Sequence, residues 1–261
     1  PLRPLNAQRP ARRLDACGVI APGMSFQAGA GGISLAATAA VRERMRERKI
    51  RGSFASGGIT GDLVAMHEEG LFDALLDVQS FDTEAVRSLS RNPGHREMSA
   101  AMYACPSSRG CVVDRLDAAI LGATQVDVDF NVNVNTESDG VLLHGIGGHM
   151  DTAAGAGVTV IVTPLLRGRL PMVVDRVLTV TTPGSTVDVI VTERGVAVNP
   201  ARPDLAEALR KARLPLRDIG DLRDDAYALT GEPETPRFGD RIIGVVEYRD
   251  GTVIDVIRNV V

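Results

Sequence analysis

Two short runs, VTVIV at Val158–Val162 and VDVIV at Val187–Val191, constrain this chain more than any other feature. Both are nearly continuous in β-branched residues, and a strand with apolar side chains on both sides must be covered on both faces. A parallel sheet with helices above and below it supplies that cover. Further strand-like runs, LDAAILGA, VDVDFNVNV, VDRVLTVT and GVAVN, surround these two from Leu116 onward. Helical patterns occupy other stretches. From Ile33 a small apolar half passes into a charged half, with Leu35, Ala39 and Met45 near one face; a second helix is expected at Asp62–Gly70 and a third at Pro203–Ala212, where Leu205, Leu209 and Ala212 share a side. The chain closes in a predicted hairpin, Ile242–Arg249 and Thr252–Ile257, about Asp250-Gly251, a dipeptide suited to a type I′ turn. The fold class is therefore α/β, with a mostly parallel sheet flanked by helices and a C-terminal hairpin.

Length and composition narrow the function. At roughly 100–200 residues per domain, 261 residues are read as a lead-in over residues 1–15, rich in Pro and Arg, followed by a single domain over 16–261. Pro1 stands where an initiator Met would, and the chain is read as a processed or excised segment. No apolar run approaches the ~20 residues of a membrane span. Net charge is −4 with both signs interspersed, which offers no basic field to nucleic acid. Cys17, Cys105 and Cys111 fit neither a metal knuckle nor a CxxC pair and are read as reduced thiols of a cytoplasmic protein. His144 and His149 have the spacing HxxxxH without a third ligand, so no metal site is expected.

Two glycine turns carry the candidate chemistry: GAGG at Gly29–Gly32, directly before the Ile33 helix, and GIGGHMD at Gly145–Asp151. A backbone without Cβ atoms lets a ligand come close, and N–H groups at a helix start bind phosphate or a developing oxyanion. Either turn alone is equally what a tight strand-to-helix connection without a ligand looks like. Neither is a GxGxxG fingerprint or a Walker A loop, and GxSxG is absent, so dinucleotide, nucleotide-triphosphate and serine-hydrolase chemistry are disfavoured. Asn131, Asn133 and Asn135 alternate along the end of VDVDFNVNV and the residue after it, and are expected on one strand face. That face is either buried with partners or a solvated edge.

In order along the chain, FQAGAGGISLA, FASGGITG, LLDVQSFD, FNVNVNTESDG, GIGGHMDTAAGA, VTPLLRGRLPMVVD, TPGSTVDVIVTERGVAVNPARPDL and LTGEP resemble the C-terminal half of the citrate lyase alpha-chain family, almost from end to end. The resemblance implies the CoA-transferase superfold of Rossmann-like α/β domains, normally present as two tandem halves. It also implies a reaction: citrate plus an acetyl thioester gives a citryl thioester plus acetate. The thioester is that of CoA or of the phosphoribosyl-dephospho-CoA arm of an acyl carrier protein, with no cofactor held by the chain itself. The implied partners are the N-terminal half of the alpha chain, the beta chain and the acyl-carrier gamma chain, in an oligomer. A sugar-phosphate isomerase, an effector-binding domain or a non-catalytic assembly half on the same superfold are the alternatives, because fold does not fix function.

On this resemblance Gly31, Gly32, Gly147 and Gly148 are the candidate oxyanion donors. Gly29, Gly58, Thr60, Gly61, Gln79, Asn133, Asn135, Gly145, His149, Arg167 and Arg169 are the candidate substrate contacts. Related transferases carry a nucleophilic Glu in the segment corresponding to Ile59-Thr60-Gly61-Asp62, and here Gly61 stands at its place. No covalent acyl-enzyme is therefore expected. Asp62 is read as the cap of the following helix and Glu137 as part of a surface turn.

Overall fold

A computed structural model describes Asp15, residues 18–108 and residues 110–261. Most of the lead-in over 1–15, and Cys17, lie outside the described residues. The sheet opens with β1 (Ser25–Ala28), followed by α1 (Gly32–Arg48), β2 (Gly52–Ile59), α2 (Gly61–Glu68), β3 (Phe72–Ser80), α3 (Thr83–Arg91) and β4 (His95–Glu97). After α4 (Ala100–Ala104) and a 3-10 turn, β5 (Ala118–Gly122) returns to the far side of β1. The short β6 (Gln125–Asp127) and β7 (Val132–Asn133) precede α5 (His149–Gly155) and β8 (Val158–Val162). Next come β9 (Leu166–Arg167), β10 (Leu170–Pro171), β11 (Val173–Val174), β12 (Val189–Val191) and β13 (Val196–Val198). Two helices, α6 (Pro203–Lys211) and α7 (Ile219–Thr230), lead to the ribbon β14 (Phe238–Glu247) and β15 (Val253–Val260).

The main sheet has the order β13-β12-β8-β5-β1-β2-β3-β4 and is parallel except at the β12–β13 edge. The two valine-rich runs that predicted a doubly covered sheet are β8 and β12, and the burial follows. Ala118 and Ile120 of β5 join the core on one side, with Val41 and Met45 of α1; Ala119 and Leu121 join the core on the other, with Leu222 and Ala226 of α7. Chain order runs outward from β1 through β2 to β4, then jumps back across β1 to β5. In an open parallel sheet the crevice beyond the carboxyl ends of the strands at such a reversal is where ligands bind. Here that crevice lies between β1 and β5.

Several local expectations need correction. The sheet does not begin at Leu116, since β1–β4 precede it; β2 reads GSFASGGI, whose three glycines and two serines conceal a central strand that burial imposes. Along α1 the buried face is Ser34, Ala37, Thr38, Val41 and Met45, while Ala39 is exposed, and so the helix is turned relative to the expected face. Ala212 lies past the end of α6 and is exposed. VDRVLTVT contributes only Val174 to a strand. Val126–Val134 is a tight β6–β7 hairpin rather than one strand, with Phe130 at φ 67° and the Asp127 carboxylate accepting the N–H groups of Asp129 (3.0 Å) and Asn131 (2.9 Å). β7 ends at Asn133, whose side-chain oxygen accepts the Asn135 and Thr136 N–H groups, so Asn135 lies beyond the strand and the predicted ladder of three asparagines on one face does not exist. At the C-terminal ribbon Gly251 has φ 89° but Asp250 does not enter the left-handed region, which excludes type I′. The Asp250 carboxylate instead accepts the Thr252 N–H (3.0 Å). No helix among the described residues is long and apolar enough to cross a membrane.

Candidate functional site

The crevice between β1 and β5 opens into a cleft of about 580 Å³. Both glycine turns reach it, although more than a hundred residues separate them. Gly29, Ala30 and Gly31 follow β1 and lead into α1; Gly145, Gly147 and Gly148 lead into α5. Gly31 is the N-cap of α1 and Gly148 that of α5, and neither has a side chain with which to cap the first-turn N–H groups. By contrast α3, α4 and α7 are capped by Asp82, Ser99 and Asp218. Two uncapped helix starts beside one cleft leave N–H donors and the positive ends of two helix dipoles for an anion or an oxyanion. Only Gly147 needs positive φ (61°); Gly148 lies at φ −86°.

Beneath the second turn lies a hydrogen-bond network that the sequence does not reveal. The Gln27 amide donates to Tyr103 Oη (2.6 Å) and Thr152 Oγ1 (2.9 Å), and its oxygen accepts from Ser56 Oγ (3.2 Å). Because the Thr152 hydroxyl donates to the Gly148 carbonyl (2.7 Å), the Tyr103 hydroxyl must donate to Thr152 (2.7 Å). Every proton in this set has one place to go. Burial raises the Tyr103 pKa, so the phenol stays neutral. The network ties the strand β1, the helix α4 and the Gly148 peptide together, which fixes the direction of the second glycine turn. Gln27, Tyr103 and Thr152 are 76 and 49 residues apart in sequence, and the one local signal is a polar Gln27 two residues before GAGG. Phe81, half exposed in the cleft wall against Gly58, was likewise not anticipated.

The cleft gathers Gly29, Gly31, Gly58, Gln79, Gly145, Gly147, Gly148, His149 and Arg167 of the expected residues. Gly32, Thr60, Gly61, Asn133, Asn135 and Arg169 do not line it. Gly61 begins α2, where its N–H is held by the Asp82 carboxylate (2.7 Å); Thr60, and not Asp62, occupies the N-cap. Asn133 is fully buried and folds the loop after it: its amide donates to the Thr136 carbonyl (3.0 Å) and its oxygen accepts from the Asn135 N–H (2.9 Å). The Asn135 amide is held by the His144 carbonyl. Arg169 is exposed beyond the turn at Gly168. Arg167 reaches the cleft but pairs with Glu137, which does sit in a turn. No Asp or Glu is among the described residues that line this cleft.

His149, an expected substrate contact, lines the cleft as a neutral imidazole. Its Nε2 lies 2.9 Å from the Gly122 carbonyl, which only accepts, so Nε2 carries the proton and Nδ1 accepts from the Thr182 hydroxyl (2.7 Å). Desolvation pushes its pKa down to about 4. Between the unfolded value near ~6.5 and that folded value, the unfolded chain takes up a proton that the folded chain refuses. Stability is therefore expected to fall as pH drops through this window, by of the order of 3 kcal/mol in total. Urea unfolding at pH 7 and pH 4.5, compared with His149→Gln, checks this; equal pH dependence in both proteins would refute the assignment.

A family model described as citrate lyase, alpha subunit, matches residues 3–260. The citrate lyase alpha chain of Klebsiella pneumoniae is 52% identical over 256 residues, which are 98% of this chain and 50% of that one. That of Escherichia coli is 54% identical over 243 residues, 93% of this chain and 48% of that one. The chain thus spans about half the length of the curated relatives it matches. A crystal structure of the alpha subunit of citrate lyase from Streptococcus mutans, in complex with citrate, superposes with TM-score 0.96 at 48% identity, covering 98% of this chain and 51% of that one. RipA from Yersinia pestis (TM-score 0.55, 17% identity) and a malonate decarboxylase alpha subunit from Acinetobacter baumannii (0.57, 14%) share the fold, over 85% and 88% of this chain and 51% and 56% of theirs.

Proposed function

Because this chain belongs to the citrate lyase alpha-subunit family, we propose that it forms one half of a site exchanging citrate for acetate on a thioester. A citrate carboxylate oxygen attacks the acetyl thioester carbonyl; the tetrahedral oxyanion collapses, expelling the thiolate and leaving a citryl–acetyl anhydride. The thiolate then attacks the citryl carbonyl and expels acetate, so atoms and charge balance with no acyl group on the protein. The chain's task is to position the reactants and stabilise two successive oxyanions. The observation that carries this reading is the meeting of two uncapped glycine helix starts across one cleft. The absence of a carboxylate among its described lining residues supports the citrate oxygen, not the protein, as nucleophile. The citrate seen in the Streptococcus mutans relative supports the acceptor.

Citrate is a trianion, while the cleft's cationic side chains are few: His149 is neutral and Arg167 is paired. Further charge is expected from the N-terminal half of the alpha chain, with the thioester delivered on the acyl-carrier chain. The test is release of labelled acetate from an acetyl thioester on adding citrate. The 261-residue chain alone should show little turnover, and co-expression with the remaining half of the Klebsiella pneumoniae alpha chain should restore it. Full activity of the chain alone, or none with both halves, would sink the reading.

A further inference from the structure

Among the described residues the exposed apolar surface is concentrated in the C-terminal ribbon and in a turn that runs into the cleft. Of the fifteen large hydrophobic side chains exposed among the described residues, ten belong to the ribbon β14–β15 and the adjoining Val261, or to the turn Val141–Leu143. The two groups adjoin each other: a methyl group at Gly140 would stand 2.5 Å from Val260 and 3.7 Å from Phe238. The ribbon is fastened to the body at a few points. The Asp255 carboxylate accepts the Val180 N–H (2.7 Å), Val246 is buried, and Arg249 near the turn pairs with Asp114 (3.1 Å). Most of β15 is half-buried, whereas β14 is bare over residues 241–243 and at Val245. Ile242 and Ile243 are neighbours on β14 and are 50% and 54% exposed, at a point where the pairing with β15 shifts register.

A lone two-stranded ribbon is marginal in water, and a contiguous apolar patch, unlike scattered apolar residues, marks an interface. Exposed Asp240, Arg241 and Arg258 supply the polar rim such interfaces carry. The patch also continues into the site, because Leu143 is followed directly by His144 and Gly145 of the cleft.

The lengths of the relatives choose the occupant. The matched region is 50% of the Klebsiella pneumoniae chain, 51% of the Streptococcus mutans and Yersinia pestis chains, and 56% of the Acinetobacter baumannii chain. Even where only the fold is shared, it is joined to about as much chain again. We propose that the bare surface of β14–β15 together with Val141–Leu143 is the docking surface for the other half of the alpha chain. The choice of partner rests on the functional reading above; the surface itself rests on the exposure and its continuity with the cleft. The partner should present aliphatic side chains to Ile243 and Val245 and close one side of the cleft.

The chain, co-expressed with the remaining half of the Klebsiella pneumoniae alpha chain, should sediment as a one-to-one complex. Ile243→Asp and Val245→Lys, both at positions more than half exposed, should keep the far-UV circular dichroism and Tm of the chain while weakening the complex about 30-fold or more each. Val86→Asp, at an equally exposed apolar site on α3, should leave association unchanged. No complex, or a complex indifferent to the ribbon variants, would overturn the proposal. So would self-association of the chain that the same variants abolish without any complex with the other half, which would assign the ribbon to a second copy. A ribbon-dependent complex that exchanges no citrate would leave the surface standing and remove the functional reading instead.

Discussion

Replacing Gly148 by valine is expected to lower turnover of the two-half complex by about 10²–10³, the usual cost of losing one oxyanion donor. The cause is steric rather than conformational. Gly148 lies at φ −86°, which any residue adopts, but a Cβ there would stand 2.7 Å from Cε1 and 2.9 Å from Oη of Tyr103. Tyr103 is buried and tied to Gln27 and Thr152, so it yields only by dragging the network that aims the Gly148 peptide. The same fact separates two readings of the result. Tyr103→Phe removes the hydroxyl and its hydrogen bonds, with an expected loss of about 1–3 kcal/mol in stability, but leaves the glycine turn unobstructed and should cost less than tenfold in kcat. If Gly148→Val is no slower than Tyr103→Phe once both are shown to be folded, the turn is structural and not a donor of the oxyanion hole. Positive φ is needed one residue earlier, at Gly147 (61°), where nothing lies within 4 Å of an added methyl. Gly147→Ala should therefore cost about 1 kcal/mol in stability through backbone strain alone.

Local pattern revealed what local physics determines. The apolar runs of β8 and β12, the turn into solvent along α1, Pro203 at the start of α6 and the ribbon about Gly251 are each decided by residues within one or two turns of each other. Strands β1 and β2 were illegible because SFQA is short and GSFASGGI has poor β propensity; they are strands because they occupy the middle of a sheet assembled from distant segments. The asparagines misled for a related reason. Alternation predicts a shared face only if the strand continues, and β7 ends at Asn133, whose side chain instead holds the turn over Asn135 and Thr136. Of the candidate site, the two glycine turns were visible, but that they share one crevice follows from the chain reversal between β1 and β5, which no stretch of sequence encodes. Arg167 could be picked out as a cation in LLRGRLP. Its partner Glu137, thirty residues earlier, could not.

The mechanism makes a second prediction with an all-or-none outcome. Incubating the two-half complex with acetyl thioester alone should leave no acyl group on either polypeptide, because the attacking oxygen belongs to citrate and citrate is missing. Two carboxylates in this chain could contradict that. Asp62 sits in the first turn of α2, whose first residue Gly61 is itself held by Asp82 and does not line the cleft. Glu137 is engaged by Arg167 at the rim. Neither is among the described residues that line the cleft, so neither is placed to take the acyl group without rearrangement. Borohydride, which reduces a glutamyl thioester, should accordingly leave activity unchanged. Initial-rate lines should intersect, since both substrates must be bound together, whereas parallel lines mark a covalent intermediate. Peptide mass analysis after incubation decides the matter: an acyl or thioester group on Asp62 or Glu137 would make that residue the nucleophile. An adduct on the other half would move the covalent step across the cleft, and the role of this half would then shrink to holding the oxyanion.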